Sequence, residues 1–126
     1  MAIWMAVVLG GALGSLARHG VNVATARVMS APGPWPIAAV NMTGCLAIGV
    51  LAGAIAADRL AMSAPARAFV FVGILGGFTT FSSLMLDSLT LIETGAPLKA
   101  ALNLIGQLAM GLLLTYAGYY ISLRHL

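Results

Sequence analysis

Charge is scarce in this chain. Asp, Glu, Lys and Arg together make up 7% of its 126 residues, and only three of them are acidic. Ordinary soluble domains carry roughly 25% charged residues. Apolar side chains reach 61%, and the mean hydropathy is +1.04. A soluble fold of this size has no interior large enough to hide so much apolar surface, so lipid must be part of the solvent. The six basic residues are scattered without a run or patch, which argues against a nucleic-acid partner. Cysteine is reduced to Cys45 alone, so there is neither a disulfide framework within one chain nor a thiolate metal cluster. A small buried side chain is the role expected of it. No His/Asp/Glu cluster has metal-ligand spacing, and no nucleophile stands beside a base. Gly76-Gly77 has neither a nearby lysine nor a preceding strand, so it is not a phosphate loop. Nothing here points to an enzyme. The first apolar segment also lacks a basic run before it and a cleavage site, and it reads as a helix of the mature protein, not a signal peptide.

What is present is length of apolar chain. A membrane-crossing helix needs about 20 mostly apolar residues, and four segments meet that: about 3–28, 36–57, 66–93 and 98–123. Ser30 to Pro36 holds three prolines and a glycine and cannot continue a helix, whereas Pro36 itself suits a first helical turn. Asp58 to Pro65 and Thr94 to Pro97 supply the other connections. Trp4, Trp35, Tyr116, Tyr119 and Tyr120 fall towards segment ends, where aromatic belts form. The expected fold is one all-α transmembrane domain of four helices.

The third segment carries the unusual stretch, Val72-Gly-Ile-Leu-Gly76-Gly77-Phe-Thr79-Thr80-Phe81-Ser82-Ser83. Paired glycines weaken a helix, and hydroxyl groups gain nothing against lipid tails. Irregular backbone inside a membrane is tolerated only where protein buries it or where it lines a wet cavity. The stretch therefore predicts a helix broken near its middle that serves an ion or solute path. Other polar groups in the spans are candidates for its walls. Arg18 either snorkels to the interface or sets a fixed positive charge at the mouth of an anion path. Asn41 either ties helices together or offers neutral N–H donors to an anion. Asn103 and Gln107 stand four apart on one helix face, with Gly111 and Thr115 continuing the stripe. Asp87 follows the break by six residues and either pairs near the interface or joins a polar route.

Four spans put both termini on one side of the membrane. Arg59, Arg67 and Arg124 then face Arg18, Arg27 and Lys99 across it, and three against three leaves the positive-inside rule without a choice. Either partners and weaker biases set the orientation, or the chain inserts both ways and works as an antiparallel pair. Gly10 and Gly14, and Gly49 and Gly53, stand four apart, a spacing that permits close helix contacts within or between subunits.

Gly10-Gly11-Ala-Leu-Gly14-Ser-Leu-Ala-Arg18, Asn41 with Gly44, and Gly73-Ile-Leu-Gly76-Gly77-Phe-Thr79-Thr80-Phe81-Ser82 together resemble the CrcB/Fluc fluoride channels. The resemblance covers essentially the whole chain, and the third-segment motif is its most specific part. It implies a small multi-pass protein of the bacterial inner membrane, assembled as an antiparallel, dual-topology homodimer. Such a dimer exports cytoplasmic fluoride passively through two pores around a central sodium ion. By position, Gly76 and Thr79 are implied to offer backbone carbonyls to that sodium, oxygen ligands being suited to a small hard cation. Asn41, Phe81, Ser82, Ser83, Gln107, Thr115 and Arg18 are implied to belong to the fluoride pore, Phe81 through the positive edge of its ring. Asp87 falls where relatives often carry glutamate. Three positions depart from the pattern. Leu84 replaces a second pore phenylalanine, Asn103 replaces a tyrosine common in the fourth helix, and Gln107 and Gly111 stand where hydroxyl residues often occur. Two other readings remain to be separated from this one. A small multidrug-type exporter needs a carboxylate in its first helix, and here that helix has no acid. A non-conducting or heterodimer-dependent subunit of the same family would fit the loss of the second phenylalanine.

Overall fold

A computed structural model describes residues 2–125. Its helices are α1 (Ala2–Val28), α2 (Trp35–Ala56), α3 (residues 64–78), α4 (Phe81–Glu93) and α5 (Pro97–His125). Helices α3 and α4 are two parts of one span, Ala64–Glu93, so four helical segments are long and apolar enough to cross a membrane. The chain is a multi-pass membrane protein. Its third span begins slightly earlier than the apolar run suggests, because Pro65 occupies a first-turn position, where its missing N–H costs nothing. The Ser63 hydroxyl accepts the Ala66 N–H at that end. The last connection is equally compact. Gly95 adopts φ +78°, and Ala96 N–H donates back to Leu91 O at 2.8 Å, the six-to-one closure of a glycine-capped helix end.

The break in the third span lies at Thr79 and Thr80, both extended (φ −80°, ψ 157° and φ −153°, ψ 117°). The adjacent glycines are helical, Gly76 at φ −66° and ψ −36°, and they serve packing. A Cβ on Gly77 would come 2.7 Å from Gly11 O of α1. Just before them, Ala68–Leu75 winds as a π-helix, a wider coil found mostly as short bulges at functional sites.

Two glycine seams hold the protomer together, and both lie inside it. Helix α1 packs along α3, and α2 along α5, with α4 resting on α5. On the first seam, a Cβ on Gly14 would overlap Ile74 O and come 2.9 Å from Phe78 N. On the second, Cβ atoms on Gly49 and Gly53 would overlap Thr115 O and Tyr119 O, and one on Gly118 would come 2.7 Å from Leu46 O. The spaced glycines thus account for contacts within one chain, and association between copies has to be argued from other surfaces.

Large apolar side chains point outward. Trp4 is 78% exposed, Leu16 67%, Leu102 65% and Leu112 72%, while the buried hydrophobics among the described residues are Ile37, Val40, Leu75, Leu84 and Ala100. The interior is lined by small residues and polar groups, because lipid tails satisfy leucine as well as a protein core does.

Candidate functional site

The site forms where the broken span meets the α2–α5 pair. Ending α3 at Phe78 frees the Thr80 N–H, which in an unbroken helix would bond Gly76 O. It donates instead to Asn41 Oδ1 of α2, at 2.9 Å. That bond fixes the orientation of the Asn41 amide, because only the oxygen can accept from a backbone N–H. The two Asn41 Nδ2 protons then go to Thr80 O at 3.2 Å and Gln107 Oε1 at 2.9 Å. Each later orientation follows from the one before. Gln107 Nε2 donates to Asn103 Oδ1 at 2.8 Å, Asn103 Nδ2 to Ser88 Oγ at 3.0 Å, and Ser88 Oγ to Leu84 O at 2.8 Å. The result is one string of aligned donors through α2, α5 and α4, anchored on a backbone group at each end. Aligned hydrogen bonds polarise one another, and Ser88, Gln107 and Thr80 are buried, so the string sits in a low-dielectric seam.

A second polar cluster caps α4. The Thr80 hydroxyl accepts the Ser83 N–H at 3.3 Å and donates to Ser83 Oγ at 3.1 Å. A hydroxyl has one proton, so the 3.2 Å contact between Thr80 and Ser82 has Ser82 as donor. The Ser83 hydroxyl proton remains free.

Asn41, Thr80, Phe81, Leu84 and Gln107 line a cavity of about 340 Å³ with the Gly76 and Thr79 edge of the break. Phe81 projects from it, 65% exposed, whereas Leu84 is 3% exposed and forms an apolar wall. A larger groove of about 540 Å³ adjoins it, lined by Met42, Asn103, Gln107, Gly106, Met110 and Lys99 among others. Gln107 and Met42 belong to both walls.

The structure gathers some of the residues expected at the pore and separates others. Asn41, Phe81 and Gln107 meet at the first cavity, and Ser82 and Ser83 sit beside it on the α4 cap. The Thr115 hydroxyl donates to Cys45 O at 3.0 Å, so it ties α5 to α2 and has no proton left to offer. Arg18 lies on the other side of the break and places Nη1 3.5 Å from Thr79 O. Two members of the string, Asn103 and Ser88, are additions to the expected pore residues. The four-residue spacing of Asn103 and Gln107 signals the first. Nothing in the sequence signals Ser88, since its role depends on α4 lying against α5.

The family profile described as "CrcB-like protein, Camphor Resistance (CrcB)" matches residues 5–119. The chain belongs to the CrcB-like family. Several curated relatives are named fluoride-specific ion channel FluC. A protein of Hyphomonas neptunium is 38% identical over 121 residues, covering 96% of this chain and 95% of the relative. One from Thermus thermophilus is 43% identical over 120 residues, covering 92% and 90%. One from a Methylobacterium species is 44% identical over 110 residues, covering 86% of each.

Proposed function

We propose that this chain is a passive fluoride-selective channel that releases cytoplasmic fluoride across the bacterial inner membrane, and not an enzyme. The observation that carries the reading is the Asn41–Thr80 exchange at the break. It assembles neutral N–H donors and an aromatic ring around one cavity without a deep positive trap. Fluoride is small and strongly hydrated, so a path must replace its water with converging donors. Fixed neutral donors also let the ion leave again, as conduction requires. Both Asn41 protons are already engaged, so fluoride entering here takes the place of Gln107 Oε1 as acceptor. The names of the relatives support fluoride as the ion.

The working form we propose is an antiparallel homodimer with two pores. Phe81 and Gly76 line the cavity and are exposed at its rim, so a second copy would complete its wall. With Arg18 drawn in beside the break, Arg59, Arg67 and Arg124 stand against Arg27 and Lys99, a near balance of basic residues that allows such an inverted pair. The carbonyl edge of the break offers sodium one free oxygen and one already engaged. Gly76 O loses its helical amide partner to Asn41, whereas Thr79 O accepts from the Arg18 guanidinium at 3.5 Å, which would have to move aside for a cation. Gly76 and Thr79 would hold the ion from both copies, and when bound it would neutralise those converging oxygens.

Purified protein in liposomes is expected to release fluoride and retain chloride. No fluoride release, or equal chloride release, overturns the channel reading. Because the preparation contains no related partner, release also separates a homodimer from a heterodimer-dependent subunit. Cysteines placed near the termini are expected to react with an impermeant thiol reagent from both sides of the membrane in whole cells. Labelling from one side alone removes the inverted dimer.

A further inference from the structure

The chain already carries a cation at the broken span. Helix α3 ends at Phe78, and a helix C-terminus is the negative end of its dipole, where positive charge is stabilised. Arg18 of α1 reaches this end and donates from Nη1 to Thr79 O at 3.5 Å. The α1–α3 seam sets that reach. A Cβ on Gly14 would come 2.9 Å from Phe78 N, so Arg18, one turn further along α1, lies level with the break. At 3.5 Å the bond is at the long limit of an N–H to oxygen contact, and helix α1 has no acid to pair with the charge. The guanidinium is therefore held loosely, at an oxygen that the sodium reading requires.

A second observation gives this side chain another place to go. Asn22 stands one turn beyond Arg18 on the same face of α1, and its Oδ1 is buried without a hydrogen-bond partner. A buried acceptor in that state keeps an unmet demand for a donor. Helical side chains tilt towards the N-terminus, which directs Asn22 back over the turn that carries Arg18. Arg18 thus stands between two acceptors, Thr79 O, which it holds, and Asn22 Oδ1, which is unpaired. Charge forbids it to keep the first when two copies close around a cation. Thr79 of both copies would then bring two guanidinium groups and the ion together, and like charges a few ångströms apart repel strongly where water is scarce.

We propose that Arg18 is a tethered competitor for the cation position at the break. Its guanidinium caps Thr79 O in the lone protomer and withdraws to Asn22 Oδ1 when a monovalent cation is bound between two copies. The proposal rests on the sodium reading above. It makes Arg18 the residue that sets how much sodium the dimer needs, and it places that charge at the break instead of at the mouth of an anion path.

The test is the thermal midpoint of the purified full chain as sodium replaces N-methylglucamine at constant ionic strength, read beside the dimer fraction in size-exclusion chromatography. A site that its competitor leaves open a tenth of the time binds about tenfold more weakly. Arg18→Gln is thus expected to reach half of its sodium-dependent shift at roughly tenfold less sodium than wild type. Arg18→Lys keeps the charge and is expected to stay nearer wild type. Asn22→Leu removes the second acceptor and is expected to need several-fold more sodium. Equal sodium requirements in wild type and Arg18→Gln, or a higher one in the variant, overturn the competition. A wild-type requirement in folded Asn22→Leu overturns the withdrawal. Should Arg18→Gln fail to fold, the sodium requirement of Asn22→Leu decides in its place. No sodium response in either wild type or Arg18→Gln brings down the sodium reading itself and the proposal with it, a failure distinct from an equal response in both.

Discussion

Fluoride efflux through Asn41→Asp is expected to fall by at least about a hundredfold. Aspartate can still accept the Thr80 N–H, which keeps one bond of the junction. Its other oxygen would then stand where Nδ2 now donates to Gln107 Oε1 and Thr80 O, at 2.9 and 3.2 Å. Three acceptors would face one another with no proton between them. Each buried group left unpaired costs about 1–3 kcal/mol, and the new carboxylate repels the permeating anion as well. Both effects act on the path, and the second acts even if the string rearranges. Liposome efflux, made on protein whose elution in detergent matches wild type, decides it. Wild-type flux through that variant would remove Asn41 from the mechanism.

A larger effect on folding is expected at the α1–α3 seam. Valine at Gly14 would drive its Cβ into Ile74 O and against Phe78 N, both of them backbone atoms, so no side-chain rotation relieves the clash. Overpacking a tight contact costs roughly 1–3 kcal/mol or more, and here the helices must separate next to the break that organises the site. Gly14→Val is expected to lower the thermal midpoint sharply or to prevent recovery of monodisperse protein. Gly20→Ala is the matched control, since a Cβ there meets nothing within 4 Å. It should be neutral or stabilise by up to about 1 kcal/mol, the helix-propensity gain of alanine over glycine. Equal behaviour of the two variants in size-exclusion chromatography and thermal unfolding would show that the seam is not a close contact.

The same seam shows why the glycines of the motif are easily misread. Gly76-Gly77 looks like the point of breakage because glycine weakens helices, but both residues stay helical and Gly77 lets α1 approach. The extended residues are Thr79 and Thr80, whose hydroxyls take over capping duties, Thr79 Oγ1 donating to Leu75 O at 2.9 Å and Thr80 Oγ1 accepting at the start of α4. Threonine can do this because its hydroxyl competes with the backbone for local bonds. The π-helical winding of Ala68–Leu75 has no sequence cue at all, since those residues are as apolar as the rest of the span.

Composition alone determined the solvent of this protein, the number of its spans and the places where the chain must turn, because a bilayer demands about 20 apolar residues per crossing and proline and glycine stop helices locally. Local spacing also marked the α5 stripe and predicted a break in the third span. Only the tertiary structure decided which polar groups can still act. Asn41 and Thr80 lie 39 residues apart, and Asn41 and Gln107 66 apart. No pattern in the sequence states that one takes the other's proton. Thr115 and Asn103 occupy the same stripe of α5, yet Thr115 bonds to Cys45 O in the α2 seam while Asn103 donates to Ser88 Oγ and lines the groove. A hydrogen bond has a direction and each donor a fixed number of protons, so the availability of a side chain is settled by its neighbours in space and not by its type.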